Sequence, residues 1–247
     1  MKITAIKTHK ITVKDTDLFL VLDKYLPKLK EGSVVAITSK IIAICEGRVA
    51  DPKDVDKDEL IKREAEAYLP RSKSKYNLLV TLKNNMIVPS AGIDESNADG
   101  LYVLWPEDSQ KTANKVREYL EKKFKIKNVG VVITDSRTSP LRWGVTGISL
   151  AHSGFSALNN YIGKKDIFKR VLNMTMTNVA DGLAGAAVLL MGEGAEQTPL
   201  AIIEDVKFVK FQGRNPTTKE LKQLCIKIED DIYGPMLKGV KWRKGGS

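Results

Sequence analysis

Val129-Gly130-Val131-Val132-Ile133-Thr134, followed at once by Asp135-Ser136, is the stretch from which the fold is read. A short continuous apolar run with turn-forming residues around it is the mark of a buried strand. Just before it, Asp108 to Lys123 has an aspartate at its start and lysines at its end, which suits the dipole of a helix. Working outward, residues 2–13 alternate apolar and polar as a first strand. Asp17 to Leu26 has helical spacing and is closed by Pro27. Gly32 turns the chain into a buried strand, Val34 to Thr38, and Ile41 to Cys45 fits either a helix or a second strand. A charged stretch from Asp51 to Ala67 is helical in its second half. Leu78–Leu82 and Met86–Val88 flank Asn84-Asn85 as a hairpin. Leu101 to Trp105 reads as a strand, Asn178 to Met191 as a small-residue helix, Pro199 to Val206 as a returning strand and 217–233 as a final helix. Strands and helices mix without regular βαβ alternation, so the expected class is α+β. No repeat or linker divides the chain, and residues 1–247 are expected to act as a single catalytic unit, an expectation that two interwoven lobes would also meet.

The bulk numbers exclude several functions. A chain of 247 residues buries a substantial core. Lys and Arg number 40 against 30 Asp and Glu, a formal charge of +10. Most of that excess is expected on a solvated lysine-rich surface, with attraction of polyanions as the functional counterpart. Nucleic acid is disfavoured, because no basic and aromatic reading motif accompanies the charge. Cys45 and Cys225 are too few and too far apart for a disulfide framework or a zinc site, and both are expected to be buried. The alternating, charged N-terminus is not a signal peptide, and no apolar run reaches spanning length. A cytoplasmic protein with no membrane partner is the expectation.

Against this basic background three acidic segments stand out. They are Gly92-Ile93-Asp94-Glu95-Ser96-Asn97, Thr134-Asp135-Ser136 and Met191-Gly192-Glu193-Gly194. Hard divalent cations take carboxylate oxygens from separate parts of a fold, and glycines permit close backbone approach. Taken alone, Asp135 reads as a turn or N-cap aspartate after its strand, and Asp94 as turn chemistry. Glu193 resists that reading, since a helix C-terminus disfavours an anion. Phosphate loops, dinucleotide fingerprints and nucleophile elbows are absent from the sequence. His9 and His152 are the only histidines. His152 lies in a Gly- and Ser-bearing segment where it could meet a ligand, and a partly buried structural role is the preferred reading. Lys40, Arg137 and Arg142 are candidate phosphate or carboxylate binders, with surface cations as the plain alternative.

These segments, with Arg142-Trp143-Gly144-Val145-Thr146-Gly147, Glu46-Gly47-Arg48 and Gly163-Lys164-Lys165-Asp166 in the same order, resemble the coenzyme F-420 γ-glutamyl ligase family. The likeness covers the chain to about residue 206. It implies an intertwined homodimeric α+β fold and an amide ligase that is not an ATP-grasp enzyme. Such a ligase joins L-glutamate to a small carboxylate-bearing acceptor through an acyl phosphate, using GTP or ATP with Mg²⁺ or Mn²⁺. By that likeness Asp94, Asp135, Ser136 and Glu193 hold metal. Asn97, Ser39, Lys40, Gly192 and Gly194 bind the nucleotide, and Asp135 and Arg142 serve catalysis. The chain departs from the family pattern at Ile44, where a nucleotide-contacting lysine is usual, at His9-Lys10-Ile11-Thr12, where a Gly-Leu-Pro-like segment is usual, and across Arg137–Gly154. Those departures resemble a divergent bacterial branch ascribed to folate metabolism. A non-catalytic nucleotide- or metabolite-binding protein on the same scaffold is the alternative reading.

Overall fold

The computed structural model describes residues 1–246. Along the chain run β1 (Lys2–Ile6), α1 (Leu18–Tyr25), β2 (Ser33–Thr38), α2 (Ser39–Cys45), β3 (Val49–Ala50) and α3 (Lys57–Glu64). Next come β4 (Ala67–Leu69), β5 (Val80–Lys83), β6 (Met86–Pro89), β7 (Tyr102–Val103), α4 (Ser109–Phe124), β8 (Val129–Thr138) and β9 (Val145–Ser153). β10 (Leu158–Asn160), β11 (Met176–Asn178), α5 (Val179–Met191), β12 (Leu200–Glu204), α6 (Thr218–Leu224), α7 (Gly234–Lys238) and β13 (Arg243–Lys244) complete it. The α+β class expected from the sequence is the class observed.

The large sheet has the order β1-β12-β2-β8-β9, and only its β2–β8 pairing is parallel. Both faces are covered, which is why Val34–Ile37 of β2 and Val129–Ile133 of β8 carry no polar side chain. Successive side chains point to opposite faces. Val35, Ile37, Val131 and Ile133 pack with Leu22 of α1, Ile42 of α2 and Val116 and Leu120 of α4. Val34, Ala36 and Val132 pack against α5 through Leu183, Ala184 and Ala187. The small residues of α5 have a geometric reason. A Cβ on Gly147 of β9 would lie 2.6 Å from the Ala184 carbonyl oxygen, so helix and strand meet backbone to backbone.

A smaller sheet, β13-β4-β5-β6, packs with α3 around Leu60, Ile61, Leu79, Ala91 and Leu104. Its β5–β6 hairpin turns on Asn84 and Asn85, both at positive φ as the Asn-Asn pair predicts. After β6 the chain takes three successive left-handed residues, Ser90, Ala91 and Gly92, before reaching Asp94.

Four expectations are corrected. The first strand stops at Ile6, because residues beyond it leave the sheet and Thr8 bonds the Gln197 carbonyl at 2.9 Å. The strand expected over Leu101–Trp105 is only Tyr102–Val103, paired with β3. The final helix begins with the capping box of Thr217 and Glu220 but ends at Leu224, and α7 starts afresh with Pro235 in its first turn. Cys225 caps the end of α6 and is exposed, while Cys45 is buried as expected. No helix of the described residues is long and apolar enough to cross a membrane.

His152 takes the structural role preferred for it. It lies in β9 at 1% exposure, against Phe155, with no partner for Nδ1. Burial pushes its pKa down to about 4. The unfolded chain therefore takes up a proton near pH 6.5 that the folded chain refuses, and stability falls as pH drops from there toward 4. The loss from this residue is at most about 3 kcal/mol. Urea denaturation across that range should show the slope in the wild-type chain and a flatter one in His152→Leu.

Candidate functional site

The topology gathers several loops at one edge of the large sheet. Because β2 and β8 are parallel, with Thr38 opposite Thr134, their C-terminal ends lie side by side. Crevices outside such strand ends are favoured ligand positions. Lys40 follows β2 in the first turn of α2, and Asp135 follows Thr134. The loop from α5 into β12 arrives at the same edge, where Pro199 accepts a hydrogen bond from the Thr38 N–H at 3.0 Å. β1 ends there too, Ile6 facing Leu200. The loop after β6 closes the opposite side.

The result is a cavity of about 550 Å³, lined by residues 8–12, Lys40, Ile41, Ile44, Asp94, Asn97, Asp135, Ser136 and residues 191–199. Its walls carry five carboxylates, Asp94, Asp99, Asp135, Glu193 and Glu196, against Lys10 and Lys40. An acidic cavity in a basic chain is a place for cations.

Asp135 is not the turn residue that its position suggests. β8 continues through it to Thr138, and Asp135 pairs with Ile148. Between the Ile133–Ala151 and Thr134–Ser149 pairs the register shifts by one residue, a bulge whose extra residue is Leu150 of β9, the strand facing Asp135. Bulges bend a strand and re-aim its side chains. Asp135 Oδ1 accepts the Ser136 N–H at 2.8 Å, and Oδ2 accepts the indole N–H of Trp105. Burial raises the Asp135 pKa to about 6, outweighing these two donors, and neighbouring Asp94 adds to the rise. Glu193 is also raised, chiefly by burial. Ser136 Oγ reaches Glu193 Oε2 at 3.5 Å.

Asp94 is held differently. Its Oδ2 pairs with the Lys40 ammonium at 2.7 Å, and its Oδ1 accepts the Ser96 N–H at 2.7 Å. Burial pushes its pKa up, but Lys40 and Ser96 prevail and keep it below the ordinary carboxylate range. Lys40 also donates to the Ser96 carbonyl at 2.7 Å. Asn97 Nδ2 donates to the Gly194 carbonyl at 2.9 Å, tying the two acidic loops together. Glu196 folds beneath that loop and accepts the Gly194 N–H at 2.8 Å. A Cβ on Gly192, at φ +79°, would fall 2.4 Å from the Glu196 carboxyl carbon.

The cavity thus brings together Lys40, Asp94, Asn97, Asp135, Ser136, Gly192, Glu193 and Gly194. It leaves out two residues expected with them. Ser39 is buried as the first residue of α2 and does not line the cavity. Arg142 is exposed on the β8–β9 turn, because β8 runs on past Asp135 and carries the turn away. Arg137 likewise stays in β8, paired with Thr146, and off the cavity wall. Trp105 and Glu196 were not foreseen as parts of the site, and the His9–Thr12 segment was marked only as a departure from the family pattern. Ser96 is foreseeable, since an Asp that turns the chain binds the N–H two residues on; Trp105 carries no local signal.

The donor set suits a hard divalent cation, with oxygen donors on Asp94, Asp135, Ser136 and Glu193. Among the described residues no three acidic, imidazole or thiol groups converge as a ready metal site. The Lys40 ammonium occupies the Asp94 carboxylate, so one positive charge already stands in the cluster. An incoming cation would take over that place.

The chain matches the family described as F420-0:Gamma-glutamyl ligase over residues 5–205. It is 32% identical to the coenzyme F420:L-glutamate ligase of Methanopyrus kandleri, covering 75% of this chain and 81% of that protein. The protein of the same name from Methanosarcina acetivorans is 33% identical, over 84% of this chain and 88% of its own length. The Archaeoglobus fulgidus protein of that name is 32% identical, over 92% and 94%. With a match over four-fifths of its length, this chain belongs to the F420-0:Gamma-glutamyl ligase family.

Proposed function

We propose that the cavity is the active site of a γ-glutamyl ligase that joins L-glutamate to a small carboxylate-bearing acceptor at the expense of a nucleoside triphosphate. The observation that carries this reading is the meeting of Asp94, Asp135 and Glu193 on one cavity of a strongly basic chain. Amide formation from a carboxylate needs a better leaving group than oxide. The acceptor carboxylate attacks the γ-phosphorus of GTP or ATP, releasing the diphosphate and forming an acyl phosphate. The glutamate amine then attacks the acyl carbon, inorganic phosphate departs and the amine gives up a proton. A bound Mg²⁺ or Mn²⁺ would neutralise phosphoryl charge as it develops. Asp94, Asp135, Ser136 and Glu193 would hold it.

Lys40 stands within reach of the same phosphoryl oxygens once released from Asp94. Asn97 and the Gly192–Gly194 turn offer side-chain amide and backbone donors to the nucleotide. Ile44, on the cavity wall, contributes apolar contact and no charge. The relatives' names point to coenzyme F420 as the acceptor, and a folate-type acceptor is the alternative that an acceptor screen separates. We place the enzyme in the cytoplasm.

A homodimer belongs to the same reading. Leu141 and Trp143 at the β8–β9 turn are almost fully exposed, as are Ile167, Phe168 and Met174 on the arm between β10 and β11. Apolar surface of this kind is normally covered by a partner. Arg142 sits between Leu141 and Trp143 and would meet the second copy first. Sedimentation should give a dimer mass, and Leu141→Asp with Trp143→Asp should shift it to monomer; a monomeric wild-type chain overturns this part.

The activity itself is tested by thermal unfolding with GTP or ATP and Mn²⁺. A ligand that binds the folded state at 100 times its Kd contributes about 2.7 kcal/mol and raises the midpoint. Asp135→Asn should abolish that metal-dependent rise. Without metal it should itself be more stable at pH 8, by up to about 3 kcal/mol, since it removes a carboxylate that burial disfavours. Nucleotide-independent behaviour of the wild type, together with no glutamyl product, would favour the non-catalytic binding protein.

A further inference from the structure

Trp105 follows β7 and is buried to 2% exposure, yet its environment is not that of a core side chain. Its indole N–H donates to Asp135 Oδ2, although a backbone carbonyl would satisfy it equally well. Over its ring lies the ammonium of Lys83, 5.2 Å from the centroid. Lys83 is itself buried. Burial works against its charge, and its bond to Glu64 at 2.9 Å works for it. Glu64 also accepts from Arg48 at 2.8 Å, and Arg48 Nε donates to the Trp105 carbonyl at 3.2 Å. One carboxylate of α3 therefore anchors both the cation over the indole and the cation on its backbone.

The third side is set by backbone. A Cβ on Gly92 would lie 2.2 Å from Trp105 Nε1. Gly92 has φ +72°, and Ser90 and Ala91 before it each have φ +53°. Consecutive left-handed residues are costly for L-amino acids. They are held by the Ala91 N–H to Thr81 Oγ1 bond at 2.9 Å and the Ser90 N–H to Leu79 carbonyl bond at 2.8 Å. What this turn leaves open is the space where the indole N–H meets the carboxylate.

We propose that Trp105 is a positioning residue for Asp135, fixing one carboxylate oxygen while its remaining lone pairs face the cavity, with Lys83 strengthening the N–H as a donor. A cation over an indole draws on its π density, which leaves the N–H more positive. Donors behind a ligating carboxylate orient it, and their loss typically weakens metal binding about 10- to 100-fold. The inference rests on the reading of Asp135 as a cation ligand given above.

Mn²⁺ alone, titrated into the full chain and counted by the electron-paramagnetic-resonance signal of the free ion, tests it. Trp105→Phe keeps an aromatic ring and loses the N–H donor together with the pyrrole part of the indole. Its Mn²⁺ affinity should fall about 10-fold, and its metal-free melting point should drop as well, since a buried carboxylate loses a donor and a buried site loses volume. Lys83→Met should lose less, and Lys83→Arg should restore the loss. A folded Trp105→Phe chain that binds Mn²⁺ as tightly as the wild type overturns the proposal. Should that variant not fold, equal affinity in Lys83→Met and the wild type overturns it instead. In the Trp143→Phe, Trp242→Phe background Trp105 is the sole tryptophan, and paramagnetic Mn²⁺ should quench it where Mg²⁺ does not. A wild-type chain that takes up no Mn²⁺, or takes it up without quenching Trp105, fails at the cation reading, and the positioning role falls with it.

Discussion

The site depends on the parallel register between β2 and β8, Thr38 opposite Thr134. The parallel pairing ends at Thr38 and Thr134, so the residues that follow these two are delivered to one edge. Lys40 arrives there from one strand and Asp135 from the other. The antiparallel partners β12 and β1 bring the 192–199 loop and the 8–12 segment to that edge, one at its start and the other at its end. Slipping β8 by a single residue would turn Asp135 to the opposite face and replace it by Thr134 or Ser136. On the other side of β8, the bulge at Leu150 of β9 resets the antiparallel register just before the Asp135–Ile148 pair.

Charge is the second constraint. Carboxylates in a partly dehydrated cavity are costly, and the raised pKa values of Asp135 and Glu193, due chiefly to burial with repulsion from Asp94 added, are the signature of that cost. The fold offsets it locally. Lys40 neutralises Asp94, the Ser136 and Trp105 N–H groups bond Asp135, and Arg48 and Lys83 sit behind Trp105 on Glu64. The cluster is therefore tolerated without being satisfied, the state in which a site gains most from an arriving cation.

The two sheets contribute unequally. The large sheet supplies Lys40, Asp135, Ser136 and the Glu193 loop from buried, doubly covered strands. The smaller sheet supplies Asp94 from a left-handed turn and, through Lys83 and Glu64, the support behind Trp105. Asn97 bonds the Gly194 carbonyl and so joins the two contributions across the cavity.

The sequence by itself determined the α+β class, the position of most helices and strands, and the three acidic segments. Those are local properties: apolar period, capping residues such as Asp108 and Asn178, and glycines beside carboxylates. It also marked the Asn84-Asn85 turn, because consecutive positive φ values select that residue type. It could not tell that Asp135 lies inside a strand, since the pairing that extends β8 to Thr138 is made by β9 residues whose small, mixed pattern carries no strand period. Nor could it separate Lys40 from Ser39, or Asp135 from Arg142: neighbours in sequence go to the cavity, the core or the solvent according to helix phase and strand length. Only tertiary structure decided that Trp105, thirty residues from Asp135, holds its carboxylate. The contact exists because two sheets meet there, and no local pattern records a meeting between sheets.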